Sequence, residues 1–235
     1  MTSHSHTDFI HLSEDEPSAG EKRVLIVTAV DAERDAVLRG LQGMPGVDVI
    51  AAGVGAAAAA AGTAAALAAG PAYRFVLSAG IGGGFIGRTE IGSLVIADLI
   101  VAADLGAESQ DGFLSLDELG FGSARIAAND ELNKRLSDAI DSADLPVSIG
   151  PILTVSTATG TAETTAALAE RIIGAAAEGM EGHGVAVAAA RLGIPITEIR
   201  AISNAVGPRD RAAWRIGEAL ASLEAASKAI REVLK

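Results

Sequence analysis

The sequence predicts an α/β fold with a mainly parallel or mixed β-sheet, and three observations support this. Short apolar segments of strand length alternate with helical segments from residue 23 onward. Hydrophobic residues make up 49% of the 235 residues but aromatic residues only 3%, so small and branched aliphatic side chains must build the core. No clean apolar run reaches the roughly 18 residues that a membrane span needs. We expect a single domain at 22–235, preceded by a polar tail at 1–21.

The tail begins M-T-S-H-S-H-T-D and contains His4, His6 and His11. Its composition predicts a disordered, solvated segment, with metal capture by the histidines as the alternative. It lacks the basic and apolar regions of a signal peptide, so a cytoplasmic location is expected. A net charge of −12 argues against a nucleic-acid partner, and the absence of cysteine excludes disulfides and thiol chemistry.

Six strands are predicted, most of them followed by a helix. The first strand, 24–30, leads into a helix that Asp31 is expected to cap. The other strands are predicted at 47–53, 74–80, 91–103, 147–156 and after the turn at Gly193–Pro195. Further helices are predicted at 55–70, about 130–142, about 163–171, just after Glu181 and from about Asp210 onward. Residues 104–128 are predicted to be irregular, and a short turn precedes the helix after Glu181.

Polar or glycine-rich segments follow several of these strands. The carboxyl ends of strands in an open α/β sheet face the crevice in which ligands bind, so we expect these segments to meet one ligand. The glycine run A-G-I-G-G-G either brings backbone N–H groups close to a ligand or forms a tight turn. The candidate residues are Glu33, Gly80, Ile81, Thr159, Met180, Glu181, Ser203 and Asn204.

Several chemistries are disfavoured. No P-loop motif occurs, and G-V-G-A-A-A at 53–58 lacks the acidic residue that a dinucleotide site requires about 20 residues later. His183, the one histidine outside the tail, is expected to be packed rather than catalytic, which leaves no Ser-His-Asp triad. The lysines lie near the chain ends or on a polar helix, so a Schiff base is not expected.

The order of the motifs resembles the nucleoside phosphorylase/nucleosidase family. The segments that resemble it are A-V-D-A-E, A-G-V-G-A-A-A-A, S-A-G-I-G-G-G, E-G-M-E and R-A-I-S-N, spread over residues from about 23 to 232. Within the family the likeness is greatest to the futalosine-hydrolysing members, through V-S-T-A-T-G-T, E-G-M-E-G-H and S-N-A-V-G-P-R-D-R-A-A-W. The resemblance implies a three-layer phosphorylase-like fold with a central mixed sheet flanked by helices. It also implies a homo-oligomer that acts on a purine nucleoside without cofactor or metal.

The resemblance also implies roles for individual residues. Glu33 matches the base that activates water, Glu181 the acid that binds the ribose hydroxyls, and Met180 the methionine against the sugar. Asn204 matches the residue that meets the purine at N7 and its 6-substituent. Where adenine-specific members have Asp, Asn204 can donate to a 6-oxo oxygen and accept from a protonated N7, which predicts hypoxanthine as the base. Gly179 replaces a family Glu and is expected to leave the sugar contacts one carboxylate short.

The arginines that bind phosphate in family phosphorylases are missing from the matching segments, which favours water as the nucleophile. The expected reaction is hydrolysis of futalosine to hypoxanthine and dehypoxanthine futalosine in menaquinone biosynthesis. One of Arg209, Arg211 and Arg215, with Arg211 as the chosen candidate, is expected to pair with the substrate carboxylate, while Trp214 covers its aromatic ring. In the alternative interpretation, residues 209–215 form the N-terminus of a helix, with the arginines on the surface and Trp214 packed on the sheet.

Two other functions remain open at this point. One is a nucleosidase or phosphorylase that acts on inosine-like or methylthio nucleosides. The other is a non-catalytic nucleoside sensor, against which Glu33 argues because a binding protein needs no water-activating base.

Overall fold

The structure is a computed structural model that describes residues 22–235, and the predicted tail lies outside them. A mixed sheet of eight strands forms the centre of the fold. Its strands are β1 (Arg23–Thr28), β2 (Val47–Ala51), β3 (Tyr73–Gly84), β4 (Leu94–Ala102), β7 (Arg125–Ala127), β8 (Val147–Thr154), β9 (Ala177–Gly179) and β10 (Ile196–Ala205). A separate antiparallel hairpin consists of β5 (Gly106–Ser109) and β6 (Gly112–Ser115).

The sheet folds back on itself at one end. Strand β3 pairs in parallel with both β1 and β10, and β10 then pairs antiparallel with β4. Strand β4 pairs in parallel with β8, β8 with β9, and β9 returns antiparallel to β3. These five strands form a closed ring, and β1 and β2 extend the sheet from it. The ring places the ends of β3, β9 and β10 next to one another.

Helices cover both faces of the sheet. They are α1 (Asp31–Leu41), α2 (Ala56–Ala69), α3 (Asp130–Asp141), α4 (Ala162–Arg171), α5 (Gly182–Arg191) and α6 (Ile216–Ala229). On one face α1, α3 and α6 pack on a core that includes Val24 and Ile26, and on the other α2 and α5 pack on Leu25 and Val27. Successive residues of β1 thus enter opposite cores. This is expected because side chains alternate between the two faces of a strand and both faces are covered here. Within residues 22–235, no helix is both long and apolar enough to span a membrane.

Several local predictions are wrong. Residues 104–128 are not irregular throughout, because they contain the β5–β6 hairpin and β7. The glycine run at 79–84 belongs to β3 rather than to a turn after it, and the turn predicted before α5 contains β9. Asp31 does not cap α1, whose N-cap residue is Val30. The last helix begins at Ile216 rather than near Asp210, which caps a short 3₁₀ turn instead.

Candidate active site

A cavity of about 280 Å³ opens at the carboxyl ends of β1, β3 and β10. It contains seven of the nine residues predicted to form the site, and it excludes Gly80 and Arg211. The predicted residues that line it are Glu33, Ile81, Thr159, Met180, Glu181, Ser203 and Asn204. The alternation of strands and helices therefore brings together groups that are up to 171 positions apart in the sequence.

Glu33 is held in one orientation by backbone donors from two segments. It occupies the first turn of α1, and its Oε2 accepts hydrogen bonds from the N–H groups of Ala29 (2.9 Å) and Val30 (3.3 Å). The N–H groups at a helix start lack acceptors within the helix, and a Glu in the first turn commonly reaches back to them. Oε1 accepts from the N–H of Ile81 in β3 at 2.9 Å. The carboxylate is thus fixed between the ends of β1 and β3.

Gly80 lies behind Glu33 rather than in the cavity. A Cβ atom at this position would stand 2.7 Å from Glu33 Oε1 and 2.7 Å from Arg200 Nη1. Gly80 is therefore required for the close approach of the carboxylate and the guanidinium to β3. This corrects the expectation that Gly80 lines the ligand cavity, and it gives the glycine a supporting role.

Glu181 occupies the N-cap position of α5 and accepts three hydrogen bonds. Its Oε1 accepts from the N–H of Gly55 at 3.2 Å, and its Oε2 from the N–H of Met180 at 3.2 Å and from Arg200 Nη1 at 3.1 Å. Gly55 has a φ of +91°, a conformation that favours glycine. The G-V-G segment, which resembles a dinucleotide motif only weakly, thus provides a donor to the cavity carboxylate.

Arg200 balances the negative charge beneath the cavity. It is 1% exposed and pairs with Glu181 and, at 2.7 Å from its Nε, with the fully buried Glu198. Burial alone would lower the pKa of Arg200, but the charges of Glu198, Glu181 and Glu33 outweigh it and hold that pKa above its usual value. The positive charge of the guanidinium is therefore neutralised by buried carboxylates. Sequence reasoning assigned no role to Arg200 or Glu198, although charged residues inside the apolar strand I-T-E-I-R-A-I-S were a usable signal.

Glu178 is a further carboxylate that sequence reasoning missed. It is 7% exposed, lines the cavity and accepts hydrogen bonds from Thr159, from the backbone N–H at 2.9 Å and from the hydroxyl. Burial raises the pKa of its carboxyl group, and the Thr159 bonds oppose that rise. Although Gly179 was expected to leave the sugar contacts one carboxylate short, the neighbouring residue extends an acidic side chain into the same cavity. Its place in the E-G-M-E motif was the available signal.

The end of β10 contributes an amide to the cavity wall. Ser203 Oγ lies 2.8 Å from Asn204 Oδ1, to which it can donate, and Asn204 Nδ2 donates to the carbonyl of Ala205 at 2.9 Å. Asn204 is half-buried at the cavity edge, and Met180 lines the cavity beside Glu181. The amide therefore offers both a donor and an acceptor to a ligand.

Arg209, rather than Arg211, is the cavity arginine. Of the basic residues within 22–235, Arg209 alone lines the cavity, together with Trp214. Its guanidinium carbon lies 5.5 Å from the centroid of the indole ring, within cation–π range. Arg211 also lies beside the indole, at 6.0 Å, but it does not line the cavity. Arg215 does not line the cavity either. His183 is buried and does not line the cavity. Desolvation by burial lowers the pKa of its imidazole.

Several known proteins are similar to this chain in sequence. The sequence profile of the phosphorylase superfamily matches residues 28–235. The chain is 50% identical over 231 residues to a futalosine hydrolase from Streptomyces coelicolor, covering 90% of this chain and 96% of that protein. It is 48% identical over 219 residues to a futalosine hydrolase from Acidothermus cellulolyticus, covering 88% of this chain and 89% of that protein.

Two solved structures share the fold at low sequence identity. A futalosine hydrolase from Helicobacter pylori superimposes with a TM-score of 0.78 at 18% identity, covering 91% of this chain and 98% of the other. A 5'-methylthioadenosine/S-adenosylhomocysteine nucleosidase from Neisseria meningitidis, solved in complex with methylthio-immucillin-A, also superimposes with a TM-score of 0.78 at 18% identity. The match covers 90% of this chain and 99% of the other. These two structures show the shared fold, while the profile match and the relatives at 50% and 48% identity show that the chain belongs to the phosphorylase superfamily and, within it, to the futalosine hydrolase family.

Proposed function

We propose that this protein hydrolyses the N-glycosidic bond of futalosine and releases hypoxanthine and dehypoxanthine futalosine. The observation that supports this most directly is the convergence of Glu33, Glu181 and Asn204 on one cavity. Those three groups suit the three parts of the reacting centre, which are the water, the sugar and the purine. The sequence identity of 50% and 48% to two futalosine hydrolases supports futalosine as the nucleoside substrate.

Cleavage leaves positive charge on the ribose and negative charge on the base. Glu181 accepts from the ribose hydroxyls and favours the cationic sugar, because a fixed carboxylate stabilises charge that develops in the transition state. Its position is set by Gly55, Met180 and Arg200, so little reorganisation is needed during the reaction. Met180 packs on the sugar with a polarizable thioether that does not compete for water.

Glu33 takes the proton from the attacking water. Backbone hydrogen bonds fix the direction of both oxygens: Oε2 accepts two of them, whereas Oε1 accepts one and keeps a lone pair for a water proton. General-base catalysis of this kind typically contributes about 10²–10⁴-fold to the rate. The Ser203 hydroxyl orients the Asn204 amide, whose NH₂ donates to the 6-oxo oxygen while its carbonyl accepts from the protonated N7 of the departing base.

Water is the nucleophile in this proposal, because no residue among 22–235 places an unpaired cation beside Glu33 and Glu181 to hold phosphate. Arg200 is the arginine beneath Glu33 and Glu181, and its charge is taken up by carboxylates. Arg209 stands beside Trp214 on the wall formed by residues 205–210, Ala213 and Trp214. A phosphate dianion would meet the two carboxylates without a partner, at a cost that water avoids.

Arg209 and Trp214 suit the other end of futalosine, which carries a carboxyphenyl ketone on its 5′ side. Arg209 has no ion-pair partner within residues 22–235, and it can pair with the substrate carboxylate in a bidentate manner. Trp214 offers its face to the aryl ring. We also propose that the protein acts as a cytoplasmic homo-oligomer in menaquinone biosynthesis, with no cofactor or metal in the reaction.

The proposal is tested by incubating the purified protein with futalosine, inosine or methylthioadenosine, each with and without phosphate, and measuring the free base. We expect release of hypoxanthine from futalosine at a rate independent of phosphate, and slower cleavage of the other two. Phosphate-dependent release from inosine would instead indicate a phosphorylase. Binding without release from any of the three would indicate a nucleoside sensor.

A further inference from the structure

We propose that Glu198 is a positioning residue of the reaction, which acts through Arg200 to keep Glu181 free to bind the ribose hydroxyls. This inference rests on the proposed function, because that function assigns Glu181 to the sugar. Glu198 is fully buried and does not line the cavity, so it cannot touch the substrate itself. It acts on the sugar site only through the guanidinium that bonds both carboxylates.

The guanidinium of Arg200 is held most closely by Glu198. The two residues are two positions apart on β10, so their side chains project from the same face of the strand. Glu198 Oε1 accepts a hydrogen bond from Arg200 Nε at 2.7 Å. The other bonds are longer, because Nη1 donates to Glu181 Oε2 at 3.1 Å and to the carbonyl of Ile81 at 3.3 Å, and Nη2 to Ser78 Oγ at 3.4 Å. The short, charge-assisted bond to Glu198 therefore sets the orientation of the guanidinium plane.

Two glycines make the room that this arrangement needs. A Cβ atom at Gly179 would stand 2.9 Å from Arg200 Cζ and 3.0 Å from its Nε. A Cβ atom at Gly182, the first residue of α5, would overlap both carboxyl oxygens of Glu198. The segment E-G-M-E-G therefore packs around the buried pair and, from the same short stretch, presents Glu181 to the cavity.

The contacts of Glu198 point to a role beyond holding the fold together. Within residues 22–235, Arg200 is the residue that forms an ion pair with it, and its Oε2 has no hydrogen-bond partner. A buried polar atom without a partner is rare and costly, and such atoms call for a functional explanation. Burial raises the pKa of this carboxyl group, and the charge and hydrogen bond of Arg200 oppose that rise. Oε1 can accept from Nε in either protonation state, so the positioning role does not depend on the charge.

Loss of the acceptor at position 198 would change what Arg200 does to Glu181. The guanidinium would remain a buried cation with a free Nε edge, and it would turn that edge toward the remaining carboxylate. Arginine and carboxylate pair best through two parallel hydrogen bonds, which would occupy lone pairs that the sugar needs. The two oxygens of Glu181 already accept three hydrogen bonds. Binding of the ribose hydroxyls would therefore weaken, whereas the contacts to the base would stay.

The test uses inosine and 2′-deoxyinosine as inhibitors of futalosine cleavage, because the two nucleosides differ only in the 2′-hydroxyl. In the wild type, inosine should inhibit about 10- to 100-fold more strongly, the range of one hydrogen bond to a charged group. Glu198→Met keeps the length of the side chain but removes the acceptor, and it should lower this ratio by about tenfold. Glu198→Gln, whose carbonyl can still accept from Nε, should keep the wild-type ratio. Glu163→Met, at an exposed position at the start of α4, is the matched control and should keep it too.

A merely structural role for Glu198 would weaken both nucleosides equally, so an unchanged ratio in Glu198→Met would overturn the inference. An equal loss in the Met and Gln variants would overturn it as well, because the effect would then come from the charge. If Glu198→Met does not fold, Gly179→Ala displaces the same guanidinium from the other side without changing any charge. That variant should lower the ratio in the same way, and an unchanged ratio there would also contradict the inference.

The wild type separates this inference from the proposed function. Equal inhibition of the wild type by the two nucleosides would remove Glu181 from the ribose, and the role of Glu198 with it. If the wild-type protein releases no hypoxanthine from futalosine, the proposed function fails instead. Cleavage of futalosine together with an unchanged ratio in the variants would leave the proposed function intact and overturn the inference alone.

Discussion

Arg200 Nη1 lies 3.1 Å from Glu181 Oε2 in a layer where the two side chains are 2% and 9% exposed. The guanidinium thereby joins the carboxylate expected at the sugar to Glu198, a carboxylate with no access to the cavity. A buried arginine between two carboxylates has a large desolvation cost, and its removal would leave both acids unpaired. The pair therefore links the stability of the fold to the geometry of the candidate site.

The first prediction is that Arg200→Met destabilises the protein by about 3–5 kcal/mol, because Glu181 and Glu198 lose their cationic partner inside the fold. Urea denaturation monitored by circular dichroism measures this. Arg39→Met is the matched control, since its pair with Glu224 is exposed and worth about 0–1 kcal/mol. Similar midpoints for Arg200→Met and Arg39→Met would show that the buried pairs do not hold the site together.

The second prediction concerns the water-activating base. Glu33→Gln should lower kcat by about 10²–10⁴-fold while the Kd for futalosine changes little, because the amide keeps the size of the side chain but cannot take a proton. Single-turnover kinetics and calorimetric titration separate the two effects. Asp31→Asn, on the same helix turn but exposed to solvent, should behave as wild type. Loss of binding with an unchanged single-turnover rate would assign Glu33 to substrate binding rather than to catalysis.

The third prediction separates the two arginines beside Trp214. Arg209→Gln should raise KM for futalosine by about 10- to 100-fold, the effect of losing one charge-assisted contact, and should leave inosine cleavage nearly unchanged. Arg211→Gln is the control, because Arg211 faces the same indole from outside the cavity. Initial-rate kinetics on both substrates give the answer. A larger effect from Arg211 would return the carboxylate contact to the residue that the sequence suggested.

The fourth prediction concerns pH and His183. Burial lowers the pKa of this imidazole in the folded state below its ordinary value of 6.5. Below about pH 6.5 the unfolded chain therefore binds a proton that the folded chain does not, and stability falls by at most about 1.4 kcal/mol per pH unit until the folded pKa is reached. Urea denaturation from pH 8 to pH 5 measures this loss.

His183→Asn should lack that part of the acid dependence, although its stability at pH 8 can differ from wild type. The raised pKa of Glu178 acts in the opposite direction, giving stability at low pH that is lost as pH rises through the folded value. The difference between the two proteins isolates the histidine. Parallel curves for variant and wild type would mean that His183 titrates normally in the folded protein.

The site residues that could be predicted from the sequence are those that lie where predicted strands and helices meet. Glu33, Glu181 and Asn204 each stand at the boundary of a strongly patterned strand or helix, and the carboxyl edge of a sheet brings such boundaries together. The alternation of strands and helices predicted a mainly parallel or mixed sheet, and the family resemblance implied the central mixed sheet with flanking helices that the structure has. The alternation did not predict the closed ring of strands, because pairing between distant short strands such as β9 and β3 leaves no periodic signal.

The sequence did not identify Glu178 or Arg200 as site residues, because their roles depend on where their side chains point and not only on where they stand in the sequence. Glu178 belongs to a three-residue strand, too short for its alternation to be recognised. Arg200 lies inside an apolar strand, and only its buried partners show why a charge is tolerated there. The choice of Arg209 over Arg211 depends on the 3₁₀ turn at Arg211–Ala213, which moves the second arginine out of the cavity wall.

Isotope tracing in phosphate-containing buffer tests the central claim most directly. The protein is incubated with futalosine in H₂¹⁸O, and the two products are analysed by mass spectrometry. We predict one hypoxanthine per futalosine consumed and one ¹⁸O atom at C1 of the sugar product, with no sugar phosphate formed. A sugar 1-phosphate without solvent oxygen, or no release of hypoxanthine, would contradict hydrolysis by this cavity.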